Sequence, residues 1–164
     1  MKIIGIDPGI AIMGYGVLDF TNNKFKVIDY GAITTTPKFR LPERIEIIYD
    51  SLEKILDLHK PDAIAYEELF FNTNAKTALI VGQARGAAVL CAQKKKLNIY
   101  EYTPLQVKQA VVGYGRADKK QVQSMVKMLL NLRETPKPDD VADALAIAIC
   151  HAHSSHAHEL FRIK

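Results

Sequence analysis

Only two cysteines occur in 164 residues, too few for the disulfide framework that lets small secreted domains do without a large core. Cys91 and Cys150 both sit within apolar stretches, so they read as reduced, buried thiols of a cytoplasmic protein. No apolar run approaches the roughly 20 residues of a membrane-spanning helix. The apolar start after Lys2 is broken by Asp7-Pro8-Gly9 before it can act as a signal segment. An unprocessed chain with no membrane partner is therefore expected. Nine glycines and seven prolines are too few for a collagenous or low-complexity chain, and no internal repeat or linker interrupts the sequence. Nor does charge of one sign dominate: 22 Lys plus Arg against 18 Asp plus Glu leave +4. That excess suits a polyanionic partner but equally suits many ordinary proteins.

With 48% hydrophobic residues, the chain has the composition of one globular domain with a sizeable core. A single domain over 1–164 is expected, with about 154–164 as a flexible tail. Lys2 to Asp7, Met13 to Phe20 and Phe25 to Ile33 read as a β-meander around turns at Asp7-Pro8-Gly9 and Asn22-Asn23. From Leu41 the period becomes helical, with Ile45, Ile48, Leu52 and Ile55 on one face, ending before Pro61. The apolar run 62–67 then fits a buried strand returning parallel to the first. Asn74 to Gln93 reads as a helix whose small residues Ala75, Ala78, Gly82 and Gly86 would let another backbone approach closely. A fifth strand, Asn98 to Tyr102, leads into a capping box at Thr103-Pro104-Leu105-Gln106, and this helix stops at Gly113. Asp118 with Gln121 starts another helix, with Val122, Met125, Val126 and Leu129 inside, and a last one begins near Asp139. Three meander strands followed by alternating helices and strands predict an α/β fold, a five-stranded mixed sheet flanked by helices.

Four acids stand at the ends of otherwise apolar elements, where a charge needs a reason: Asp7, Glu67, Asp140 and Asp143. Taken singly, most have an ordinary one. Asp7 can form a turn before Pro8-Gly9, Glu67 can be a solvated strand end, and Asp139 or Asp140 can complement a helix dipole. Asp143 is harder to dismiss, because it precedes the apolar run 144–150 and so sits where the helix enters the core. If the first and fourth strands are parallel neighbours, Asp7 and Glu67 reach the same carboxyl edge, while Asp140 and Asp143 share a helix face. Converging carboxylates repel unless hard cations neutralise them, and oxygen-only ligation suits magnesium or manganese rather than zinc. The arrangement predicts a two-metal site.

Gly5-Ile-Asp7-Pro-Gly9, Gly14-Tyr-Gly16, Gly82-Gln-Ala-Arg-Gly86, Gln106-Val-Lys108-Gln109, Val111-Val-Gly113 and the run from Asp140 through Asp143 to Ala148 together resemble the RuvC family of bacterial Holliday junction resolvases. The resemblance runs in order from Lys2 to about His153. It implies a ribonuclease-H-like fold, a homodimer, and magnesium-dependent nicking of four-way DNA junctions, with manganese able to substitute and two ions per active site. It further implies that Asp7, Glu67, Asp140 and Asp143 are the metal-binding, catalytic carboxylates, and that the RuvAB branch-migration proteins are partners. Glu68 and Asp139 are adjacent rivals; in a strand only one of Glu67 and Glu68 can face Asp7, and the motif selects Glu67.

Lys76, Arg85, Lys108, Arg116, Lys119, Lys120 and Lys127 lie on or beside the helices after Glu67 and form a candidate phosphate track. Lys108 and Lys119 also match basic positions of the family, and Arg85 is counted with them as a DNA contact. Lys94 to Lys96 read as an exposed helix end. Phe70 matches an aromatic that the family uses at the junction, where stacking on an unpaired base is typically worth about 1 to 3 kcal/mol; Phe71 reads as structural. The histidines from His151 to His158 read as a frayed terminal helix. Two other functions compete: a ribonuclease-H-like nuclease on another nucleic acid, and a non-catalytic junction-binding module, which would do better without four acids. An actin-like ATPase is excluded because the chain lacks a duplicated half.

Overall fold

A computed structural model of the chain describes residues 1–69, 75–154 and 158–163. The meander is present as β1 (Lys2–Asp7), β2 (Ile12–Thr21) and β3 (Lys24–Thr34), each antiparallel to the next. Helix α1 (Leu41–His59) crosses to β4 (Ala63–Glu67), and α2 (Ala75–Lys94) crosses to β5 (Asn98–Tyr102). Both crossovers produce parallel pairs, β1 with β4 and β4 with β5, so the sheet order is β3-β2-β1-β4-β5. Helices α3 (Pro104–Val112), α4 (Lys119–Leu129) and α5 (Asp139–His153) complete the fold.

Strand alternation divides the core into two layers. Ile4, Ile6, Ile64 and Tyr66 pack with α1 and α2, whereas Ile3, Ala63 and Ala65 pack with α3, α4 and α5. On α1 the buried positions are Ile48, Leu52 and Leu56. Ile45 and Ile55, expected inside, are only half-buried at the margins of that face.

Helix α5 fixes the architecture of the second layer. It is buried almost continuously from Val141 and lies on β1 and β2, where Gly5, Gly14 and Gly16 leave a strip without side chains. A methyl group at Gly5 would meet the backbone of Ala144 and Ala148, one at Gly14 the carbonyl of Asp140, and one at Gly16 the side chain of Leu145. The strip therefore admits the helix backbone to closer range than any larger residue allows.

Both expected capping boxes are present. The Gln106 amide N–H donates to the Thr103 hydroxyl at 3.2 Å, and the Thr103 N–H to the Gln106 side chain at 2.7 Å. At α4 the Gln121 N–H donates to Asp118 at 2.9 Å and the Asp118 N–H to Gln121 at 2.8 Å. The second box makes Lys119 the first helical residue. Gly113 ends α3 in the left-handed conformation at φ 90°.

The chain end departs from expectation over its described part. His151 is not frayed but buried within α5, with Nδ1 2.8 Å from the Tyr102 hydroxyl. Residues 161–163, expected in a flexible tail, run beside β5. The Glu101 N–H donates to the Phe161 carbonyl and the Ile163 N–H to the Ile99 carbonyl, both at 2.9 Å. Phe161 stacks on Tyr102 with ring centroids 4.9 Å apart. An aromatic and an isoleucine at positions 161 and 163 thus give the terminus something to anchor. Cys91 and Cys150 are free and buried.

Candidate active site

Asp7 and Glu67 are the last residues of neighbouring parallel strands, one step beyond the paired Ile6 and Tyr66. Because Ile6 and Tyr66 face α1 and α2, alternation turns Asp7 and Glu67 to the α5 side. Glu68 follows the strand and is exposed, so the register agrees with Glu67. Helix α5 brings the other two acids beneath this edge. Glu67 and Asp143 line one cavity of about 240 Å³ with Pro104, Val107, Lys108 and Lys119.

The electrostatics place the acids within one another's reach. Asp7 is pushed up to about 8 by burial first, then by the negative charges of Asp143, Glu67 and Asp140, against the pull of Lys119. Burial and then Asp143 raise Glu67, opposed by Lys108 and Lys119. Asp143 is also raised, by burial, with its Lys119 hydrogen bond acting in the opposite direction. Crowding and burial at this edge therefore destabilise the ionised forms of Asp7, Glu67 and Asp143.

Lys119 partly relieves this. Its Nζ lies 3.1 Å from Asp143 and 3.5 Å from Asp139. Partial burial works against its charge, but these carboxylates outweigh it and raise its affinity for the proton. The ammonium is thus an internal counter-ion, a role that grouping Lys119 with phosphate contacts does not anticipate. The capping box of α4 is the available signal, since it sets this lysine at the helix start. Asp139 does not cap α5; Pro138 holds that position, and the Asp139 carboxylate turns outward to Lys119. Asp140, unlike Asp139, acts directly on Asp7.

Lys108 lines the same cavity as Glu67. Lys76, Arg116 and Lys120 are exposed, and Lys127 is half-buried. Arg85, expected among the DNA contacts, is instead turned inward. Its Nη2 lies 2.7 Å from Glu101 and its side chain is only 19% exposed. Phe70, Phe71 and His156 lie outside the described residues. Among the described residues a methyl group at Gly82 would meet only Leu69, at 4.0 Å, and one at Gly86 would meet nothing, so none of them makes the close approach expected along α2.

The donor set is oxygen-only and electron-rich, which fits hard divalent cations, whose charge would reverse the destabilisation of ionised Asp7. Among the described residues, no three His, Cys, Asp or Glu side chains stand in the geometry that clamps a single ion; the fit rests on the chemistry of the donors. No helix among the described residues is long and apolar enough to cross a membrane.

An antiparallel meander continued by two parallel strands, with acids meeting where β1 and β4 end, defines a nuclease of the ribonuclease-H-like fold. The family described as "Crossover junction endodeoxyribonuclease RuvC" matches residues 3–151. A protein of that description from Alkaliphilus metalliredigens is 63% identical over 164 residues, covering 100% of both chains, and one from Alkaliphilus oremlandii is also 63% identical with the same coverage. The solved structure described as "T. thermophilus RuvC in complex with Holliday junction substrate" superposes with a TM-score of 0.91 at 34% identity, covering 99% of this chain and 100% of that one. The chain belongs to the RuvC family of crossover junction endodeoxyribonucleases.

Proposed function

We propose that this chain resolves four-way DNA junctions by paired, symmetric phosphodiester hydrolysis, with Asp7, Glu67, Asp140 and Asp143 holding two magnesium ions per site. The observation that carries this reading is the convergence of the acids at the β1–β4 edge, where Glu67 and Asp143 line one cavity and where burial first, then the neighbouring carboxylates, push Asp7 up to about 8. Bound there, magnesium, or manganese in its place, supplies charge neutralisation at the scissile phosphate and an activated water. Asp7, on the rigid central strand, sets the position against which the other acids are aligned. Glu67 presents its carboxylate from the next strand, and Asp140 and Asp143 present theirs from α5. Lys119 holds Asp143 in place and shields the remaining charge when the polyanion enters. Lys108, on the cavity wall, is a phosphate contact. Hydrolysis in line leaves a 5′-phosphate and a 3′-hydroxyl, ends that a ligase can seal.

A second copy supplies the second nick. Leu79 and Leu90 are 64% and 55% exposed on α2, and between them Gly82 and Gly86 have no contact among the described residues that requires glycine. An apolar helical face with room for a close backbone suits a two-fold partner. Phe70 completes the reading as a base-stacking residue. The family resemblance extends it to cooperation with RuvAB in the cytoplasm, in recombination and repair. Sedimentation of the purified protein and gel analysis of a junction labelled on each strand test the assignment. A dimer giving nicks at symmetric positions is expected, while a fully active monomer is the contrary result.

A further inference from the structure

Arg85 carries the one cation of the motif Gly82-Gln-Ala-Arg-Gly86, yet its surroundings are those of an interior group. Its Nη2 is 2.7 Å from Glu101 Oε2 on β5. Its guanidinium carbon lies 5.8 Å from the ring centroid of Tyr66 on β4, within the range of a cation–π contact. Tyr66 is itself fully buried, and its hydroxyl donates to the Ala88 carbonyl of α2 at 2.9 Å, one turn along the helix from Arg85. Glu101 and Tyr66 are directly paired in the sheet. One arginine thus ties α2, β4 and β5 together around Tyr66, the residue immediately before Glu67.

The consequence lies on the opposite face. Glu67 projects into the acid cluster from a strand end whose other face is held by this clamp. A shift of β4 by a fraction of an ångström moves the Glu67 carboxylate relative to Asp7, because the two strands are adjacent and parallel. We propose that Arg85, through its ion pair with Glu101 and its contact with Tyr66, is a positioning residue for Glu67 and not a DNA contact. This inference rests on the assignment of Glu67 as a metal-holding carboxylate.

The two roles predict opposite behaviour for Glu101. A phosphate-binding Arg85 would be released by Glu101→Gln, and junction affinity would rise; a positioning Arg85 would lose its anchor, and cleavage would suffer. Arg85→Gln, Arg85→Lys, Glu101→Gln and the exchange Arg85→Glu/Glu101→Arg are to be compared with wild type. The readouts are junction affinity at several salt concentrations, single-turnover cleavage across a magnesium titration, and thermal melting. Arg85→Gln and Glu101→Gln should each raise the magnesium needed for half-maximal cleavage several-fold and slow saturating turnover about ten-fold. Affinity and salt slope should stay within two-fold of wild type. Arg85→Lys keeps the charge and the fold but loses the planar fork, so it should fall between. The exchange should recover part of the lost rate. Weaker binding with a shallower salt slope in Arg85→Gln, together with tighter binding in Glu101→Gln, overturns the proposal. So does an unchanged magnesium response in Arg85→Lys and Glu101→Gln, or a rate that merely follows the folded fraction. Wild-type protein that fails to cleave at any magnesium concentration overturns the reading of the acid site itself, a separate result.

Discussion

Gly14 on β2 and Asp140 on α5 are in backbone contact: there is no room for a methyl group between the Gly14 α-carbon and the Asp140 carbonyl. Gly14 pairs with Asp7 across the meander. The same glycine therefore sits beside one acid in the sheet and beneath another on the helix, and its missing side chain sets the distance between them.

Gly14→Ala should accordingly push the start of α5 from the sheet. Overpacking against backbone typically costs about 1 to 3 kcal/mol, so a lower melting temperature is expected, with cleavage falling further than the folded fraction. A variant with wild-type activity would show that the acids tolerate an altered spacing.

Asp7→Asn should abolish cleavage while junction binding survives, since the cationic surface is untouched. In metal-free protein the same change should stabilise the fold. Asp7 is raised from 3.8 to about 8, so between those values the folded state holds a proton that the unfolded state has released. Stability of the wild type must then decline as pH rises through this interval. Calorimetry in a chelating buffer should show that decline. At pH 8 Asp7→Asn should therefore melt several degrees higher than wild type, since each 1 kcal/mol moves the midpoint by about 2 to 4 °C in a chain of this size. A variant that melts lower than wild type at pH 8 would contradict the burial of this charge.

Lys119→Ala and Lys108→Ala should differ in kind. Lys108→Ala should weaken junction binding and reduce its salt dependence by about one counter-ion. Lys119→Ala leaves Asp143 without its partner at 3.1 Å, so it should also make metal-free protein less stable and shift the magnesium titration. Identical profiles for the two variants would place both side chains on the phosphate track alone.

Asp139 and Asp140 separate by partner. Asp139→Asn should retain near-normal cleavage, because its carboxylate is exposed and turned to Lys119. Asp140→Asn should lose most activity and demand more magnesium. The reverse ranking in nicking assays would mean that Asp139 is the ligand.

Much of the fold was legible because its signals are local. Strand alternation, the Thr103-to-Gln106 and Asp118-to-Gln121 boxes, and the positions of Asp7 and Glu67 at strand ends need only neighbouring residues. What escaped depends on partners distant in the chain. Charge pattern alone puts Arg85 on a DNA track, since nothing near position 85 reveals that Glu101 will stand beside it. Lys119 looks like a free cation until α5 returns Asp143 to it. Gly14 and Gly16 are visible as a motif, but their purpose as a bed for α5 emerges only when the helix is laid across the sheet. The histidine-rich end misleads through composition: His151 is buried because Tyr102 meets its ring, which a terminal position does not suggest.

The most direct measurement is cleavage of an immobile-armed four-way junction, a linear duplex of the same sequence and an RNA/DNA hybrid, each with and without magnesium. Magnesium-dependent, symmetric nicking of the junction, with little action on the other two, is the predicted result. Cleavage of duplex or hybrid at a comparable rate, or junction cleavage undiminished by Asp7→Asn, would contradict the account.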